Sequence, residues 1–213
     1  GKISNFVDDP LFPTEVQSLL VGMFEDHLGM LWITTNAGLY QLNAERTNLV
    51  HFMANPSEPG SISHNSINEV IEDEQGSIWV STSSGLNKYQ RKTRQFEHFF
   101  EGFEVDALLI PNQVDTSVIL VGTRHGLVEM NTRSGQYTPY THDPENPQSL
   151  SENRIQVIYE SRDGIIWIGT NDGLNRTDLN ERVDSALVFT HYTEAHGLSS
   201  SAVLGILEDD HGY

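Results

Sequence analysis

Residues 72–89 read EDEQGSIWVSTSSGLNKY, and the chain rewrites this passage along its length. Residues 25–40 give EDHLGMLWITTNAGLY and residues 163–176 give DGIIWIGTNDGLNR. A weaker copy, VILVGTRHGL, fills 118–127 with Leu120 in the tryptophan position, and a fifth opens as EDDHGY at 208–213. Trp32, Trp79, Leu120 and Trp167 are spaced by 47, 41 and 47 residues, and the turn glycines Gly38, Gly85, Gly126 and Gly173 step by the same intervals. Periods of roughly 40–50 residues with several short strands in each are those of propeller blades.

The inside of one copy supports that reading. Apolar runs at 67–72, 77–82, 86–89 and 95–99 are separated by turn residues, which predicts a meander of four antiparallel strands. The glycine before each third run suits a short hairpin loop with a positive φ. No stretch sustains the 3.6-residue apolar period of a helix. The third copy is irregular, with a short link from Phe99 to Val105 and extra residues at 110–116; the fourth inserts residues around Asn180 to Ser185. Loops absorb such changes more readily than strands do.

The expected organisation is therefore an all-β partial propeller over 1–213, with about four to five blades. A half blade occupies 1–12, and whole blades 13–55, 61–100, 103–141 and 151–193 follow. The first strand of the next blade falls within 199–213. A seven-bladed ring needs roughly 330 residues at this period, so the chain reads as part of a larger propeller. Its partners would include the remaining blades, and its open sheet edges predict self-association.

Composition narrows the function. Thirty Asp and Glu against 12 Lys and Arg give a net charge of −18. That balance argues against nucleic acid, which is held by clustered cations. No cysteine is present, so there is neither disulfide nor thiol chemistry. No apolar run reaches the length of a membrane span, and no secretory leader is seen.

The pattern E-D-x-x-G-x-[IL]-W-[IV]-x-T-x-x-G-L, preceded by SISHNSI (61–67), SLSENRI (149–155) and GLSSSAV (197–203), resembles the two-component regulator propeller repeat. In that family such blades form the periplasmic sensor half of bacterial membrane receptors, often hybrid histidine kinases and sometimes diguanylate cyclases. The resemblance implies two seven-bladed propellers and a small β-sandwich ahead of a membrane helix in the parent. Leu120 in place of Trp, Glu160-Ser161 in place of Glu-Asp, and the missing E-D-x-x-G of the third copy depart from the pattern.

Recurring residues are first of all structural. Asp26, Asp73 and Asp209 head tight turns, where an Asp accepts hydrogen bonds from its own downstream N–H groups; no calcium loop of D-x-D-x-D-G type is present. His51, His98 and His191 each precede the closing aromatic of a blade, a repeated position that argues against zinc. The equivalent tryptophans are assigned to packing between blades. No metal, cofactor or catalytic group is expected, since no nucleophile motif links Ser, His and acid.

Sites on repeat proteins lie where the copies differ on one face. The loop from second to third strand and the loop from fourth to first strand share one rim. It carries His64, Asn65, Asn153 and Arg154 on the latter loops, and Arg124, His125, Asn171 and Asp172 on the former. Arg124, His125 and Arg154 stand out in so acidic a chain and suit an anionic or polyhydroxyl ligand.

The expected function is a non-catalytic sensor module, the periplasmic ectodomain of an inner-membrane receptor. The resemblance implies a saccharide or related nutrient as its small-molecule or oligosaccharide ligand. The alternatives are a propeller enzyme, quinoprotein dehydrogenase-like or a lyase, and a protein-interaction scaffold.

Overall fold

The computed structural model describes residues 20–112 and 117–209. The half blade read at 1–12 lies outside the described residues, as do the opening of the blade at 13–55 and the end of the passage at 199–213. The chain divides into two compact units, residues 1–102 and 103–213.

Each unit holds two four-stranded antiparallel sheets of the β-propeller type. In the first unit, blade 1 is β1 (Leu20–Glu25), β2 (Leu31–Thr35), β3 (Gly38–Leu42) and β4 (Leu49–Phe52). Blade 2 is β5 (Ile67–Glu72), β6 (Ile78–Thr82), β7 (Gly85–Gln90) and β8 (Gln95–Phe99). In the second unit, blade 3 is β9 (Val105–Leu109), β10 (Val118–Thr123), β11 (Gly126–Asn131) and β12 (Tyr137–Tyr140). Blade 4 begins with β13 (Ile155–Glu160), β14 (Ile166–Thr170) and β15 (Leu174–Thr177) and ends with β18 (Thr190–Tyr192). Every sheet runs in simple sequence order, as a meander must. The insertion at 180–185 falls in an extra two-stranded hairpin, β16 (Arg182–Val183) and β17 (Ala186–Leu187), with Asp184 and Ser185 turning it at positive φ. Residues 203–208 form no ladder among the described residues, although the Val203 N–H reaches the Thr170 carbonyl at 2.9 Å.

Each turn between second and third strand is governed by two residues. The threonine closing the second strand donates through Oγ1 to the carbonyl of the glycine three residues on: Thr35 to Gly38 (2.6 Å), Thr82 to Gly85 (3.0 Å), Thr123 to Gly126 (2.9 Å) and Thr170 to Gly173 (2.9 Å). The glycine is required twice over at Gly126. Its φ is +122°, and an added Cβ would sit 2.2 Å from the Tyr140 carbonyl oxygen.

Blades pair by inserting the tryptophan-position residue into the next blade. Trp32 of blade 1 is wholly buried in a cluster with Ile67, Val70, Val80, Tyr89 and Phe96 of blade 2, its ring edge-on to Tyr89 at 5.0 Å. Leu120 does the same in the second unit, packed with Ile155, Ile158, Ile166 and Ile168 of blade 4. Ile155 also lies against the backbone of β10, where a Cβ on Gly122 would meet its Cγ2 at 2.6 Å. The assignment of the tryptophan positions to packing between blades thus holds for Trp32 and for Leu120.

Candidate functional site

The repeated polar residues are consumed by the fold, and the hydrogen bonds show how. Asp26 Oδ1 accepts from the N–H groups of Leu28 (3.0 Å) and Met30 (2.9 Å), and its Oδ2 accepts from the Trp32 indole (3.0 Å). Asp73 repeats this with Gln75 (3.0 Å), Ser77 (2.7 Å) and Trp79 (2.9 Å). The aspartate therefore caps its turn and also anchors the tryptophan. Burial pushes the Asp26 carboxyl up, but the indole, the Met30 N–H and Arg91 more than offset this and hold it below its ordinary value. Ser161 replaces the aspartate in blade 4 and donates to the Ile165 carbonyl (3.0 Å) and to Asp163. Trp167 is half-buried, whereas Trp32 and Trp79 are wholly buried.

The glutamate before the aspartate is a latch between copies, a role that sequence reasoning missed. The His27 N–H donates to Glu72 Oε2 at 2.8 Å, the Asn112 N–H to Glu160 Oε2 at 2.8 Å, and the Arg162 N–H to Glu208 Oε2 at 3.0 Å. His27, Asn112 and Arg162 are equivalent positions, so one backbone donor reaches the glutamate of the following copy each time. In the first unit Arg91 strengthens the joint by bridging Asp26 (3.0 Å) and Glu72 (2.9 Å). The three histidines bond main chain: His51 Nε2 to Ala37 O (2.9 Å), His98 Nε2 to Ser61 O (2.7 Å) and His191 Nε2 to Ser149 O (2.5 Å).

Two of the candidate rim residues join this structural set. Asn65 Oδ1 accepts from the Ala54 N–H, and Asn153 Oδ1 from the His142 N–H, both at 2.7 Å. His64 is exposed and accepts from the Ser66 N–H at 3.0 Å within its own loop. These two, His64 and Asn65, belong to the first unit; the other six candidates belong to the second. Asn171 and Asp172 are exposed on the blade 4 turn, with Asn171 Oδ1 accepting from Gln156 Nε2 at 2.8 Å.

What the repeats leave unexplained gathers on the rim of the second unit. Arg124 sits on the turn between β10 and β11, and its Nε pairs with Glu104, just ahead of β9. Beside it the ring of His125 stands edge-on to Phe103 at 5.0 Å; Phe103 remains 44% exposed. Asp106 lies on β9 where the ladder skips a residue: Val105 pairs with Thr123 and Ala107 with Gly122, so Asp106 is the extra residue of a β-bulge. Arg154, at the entrance to β13, bonds Glu152 Oε2 through its backbone N–H at 2.9 Å. Asp106 Oδ2 and Arg154 Nε are both buried without a hydrogen-bond partner among the described residues. An unpaired buried polar atom costs about 1–3 kcal/mol; Glu160 Oε1 and Thr177 Oγ1 are in the same state, and Asp106 and Arg154 are the pair of opposite charge.

The electrostatics agree. Burial pushes the Asp106 carboxyl up and Glu104 pushes it further, while Arg124 and Arg154 pull it down; the balance leaves it above its ordinary value. The bulge recurs at Val21, Asn68 and Gln156 in the other three inner strands, and Asp106 is the copy of this position that carries a charge. Asp106, Glu104, Phe103 and Gln156 are absent from the sequence-derived set. The bulge breaks the alternation from which facing is read, and no spacing in the sequence announces it. Among the described residues no group of three or more His, Asp or Glu side chains is placed to hold a metal ion.

Comparison with known proteins places these features. The two-component regulator propeller family matches at residues 61–84 and 149–172, the two copies that carry the full loop and first turn. A curated protein, histidine kinase P4 of Formosa agariphila, is 35% identical over 60 residues, 28% of this chain and 4% of its own. Among solved structures, the extracellular domain of the putative hybrid two-component system BT4673 from B. thetaiotaomicron superposes with a TM-score of 0.71 at 20% identity, over 93% of this chain and 25% of that one. The extracellular domain of BT3049 from the same organism gives 0.62 at 19% identity, over 89% and 31%. Virginiamycin B lyase from Staphylococcus aureus gives 0.59 at 11% identity, over 82% and 55%. The chain spans a quarter to about half of these structures and a small fraction of the curated relative, and at such identities the structures speak for the fold alone. In two of its repeats the chain is similar to the two-component regulator propeller family, and its fold is that of the propeller blades in these structures.

Proposed function

We propose that this chain is a non-catalytic ligand-binding module in the extracytoplasmic sensor of a bacterial two-component receptor. The observation that carries the reading is the rim cluster of the second unit. There Asp106 and Arg154 keep buried polar atoms unpaired while nearly every recurring polar residue is spent on turns and joints between blades. A fold stabilised so thoroughly by its repeats gains nothing from that corner, and a ligand does. The likeness to extracellular domains of putative hybrid two-component systems supports the sensor reading and the periplasmic location. Among the described residues no helix is long and apolar enough to cross a membrane.

The ligand is a saccharide or a related polyhydroxyl nutrient. Carboxylate, guanidinium and the partly exposed Phe103 supply hydrogen-bond acceptors, donors and an apolar face within one neighbourhood. Signalling then requires that the ligand bind one receptor state more tightly than another. The experiment is calorimetry of the chain against a saccharide panel, repeated on the Arg124→Ala, Arg154→Ala double variant. Binding is lost in the variant while its melting temperature stays close to that of the parent. Unchanged affinity removes this site, and conversion of any panel member to product favours the enzyme reading, for which the exposed His125 is the first residue to test.

A further inference from the structure

The rim cluster carries information about ligand charge as well as position. Arg124 is committed to Glu104. Arg154 and Asp106 remain as one cation and one anion near each other, without an ion pair between them, each holding a buried polar atom that has no partner among the described residues. The four side chains together sum to zero charge. We infer that Asp106, held out of register by the β9 bulge, sets the charge selectivity of this site, which takes an uncharged ligand with neighbouring hydroxyl groups and rejects its carboxylate counterpart. The inference rests on the ligand-binding reading above.

The chemistry follows from the two orphaned groups. Asp106 Oδ2 and Arg154 Nε have no exposed surface, so the two side chains act on a ligand at this corner through their opposed charges, which a neutral polyhydroxyl ligand leaves balanced. A carboxylate ligand gains Arg154 but brings a second anion against Asp106, with Glu104 already close by. Buried like charges are strongly disfavoured, and a repulsive element of this kind is how a site excludes a near-isostere. The second bulge residue, Gln156, presents an amide bonded to Asn171 and contributes no charge. Phe103, 44% exposed, offers apolar surface for the C–H groups of a sugar ring.

The test uses the 213-residue chain and matched sugars that differ only in a hydroxymethyl or a carboxylate at one carbon, neutral hexose oligosaccharides and the corresponding uronates. Calorimetry of the parent chain shows the neutral series bound at least about tenfold more tightly than the uronates. Asp106→Asn keeps a hydrogen-bonding side chain of the same shape and makes the site net positive, so its preference moves towards the uronates by about tenfold or more. Arg154→Gln moves the preference the other way and supplies an independent reading should Asp106→Asn fail to fold. A parent chain that prefers uronates overturns the inference and leaves the ligand-binding reading intact, as does a ratio unmoved in both variants. Binding of neither series, by contrast, overturns that reading, and the inference with it.

Discussion

Asp73→Ala is the sharpest perturbation of the fold, because its cost can be built up bond by bond. The carboxylate accepts from the Gln75 and Ser77 N–H groups and from the Trp79 indole, and both Asp73 and Trp79 are buried. Turn N–H groups at the surface find water when the carboxylate goes, so their loss costs about 0.5 kcal/mol each. The indole N–H, on a tryptophan with no exposed surface, is left without a partner, which costs roughly 2 kcal/mol more. The total is about 3 kcal/mol. Urea denaturation followed by circular dichroism measures it, and a double-mutant cycle with Trp79→Phe isolates the indole share. The cycle returns a coupling energy of about 2 kcal/mol. A loss below about 1 kcal/mol, or a coupling near zero, refutes the claim that the aspartate anchors the tryptophan.

Two further outcomes follow from the same contacts. Arg182 on the inserted hairpin makes a two-pronged pair with Glu129 of blade 3 (2.7 and 3.1 Å) and also donates to the Tyr140 hydroxyl (3.1 Å). A cycle of Arg182→Ala with Glu129→Ala yields a coupling of about 1–2 kcal/mol that weakens little in 0.5 M salt; zero coupling makes the hairpin an ornament. The second outcome concerns pH. Asp26 is held below its ordinary value near 3.8, so it adds stability above that value, and the addition is lost as pH falls through the lower folded value. Asp106 is held above 3.8, so its ionisation costs stability at neutral pH. Asp26→Asn is accordingly most harmful at pH 7 and its deficit shrinks in acid. Asp106→Asn is at least as stable as the parent at pH 7, and any gain fades as pH falls through the raised folded value towards 3.8. Denaturation midpoints from pH 7 to pH 3 check both signs.

The blades were legible because each copy spells the same local instructions. Alternating apolar runs, a Thr closing the second strand and a positive-φ glycine specify one hairpin at a time, and four repetitions leave little room for another fold. The roles of the aspartates and of the histidines at the blade ends could also be read from recurrence. The rim was legible only in part. Arg124, His125 and Arg154 were found because cations are scarce. Asn65 and Asn153 were chosen by the same geometry, yet their being the same residue in two copies was itself the sign of a shared structural bond. Glu72 and Glu160 recur for a partner one copy away, and nothing within a copy reveals a bond to its neighbour. Asp106 was invisible for a different reason. A bulge re-aims one side chain without changing the pattern around it, so its place in the site exists only in three dimensions.

Ligand binding on the rim of the second unit, as proposed above, is open to direct test. Hydrogen exchange of the chain with and without the tightest-binding saccharide of the panel tests it most directly, because it locates binding without presuming a residue. Protection is expected to concentrate at residues 103–107, 123–126 and 153–157, with the turns of blade 1 unchanged. Protection confined to the outer strands, or spread evenly over the blades, would contradict it.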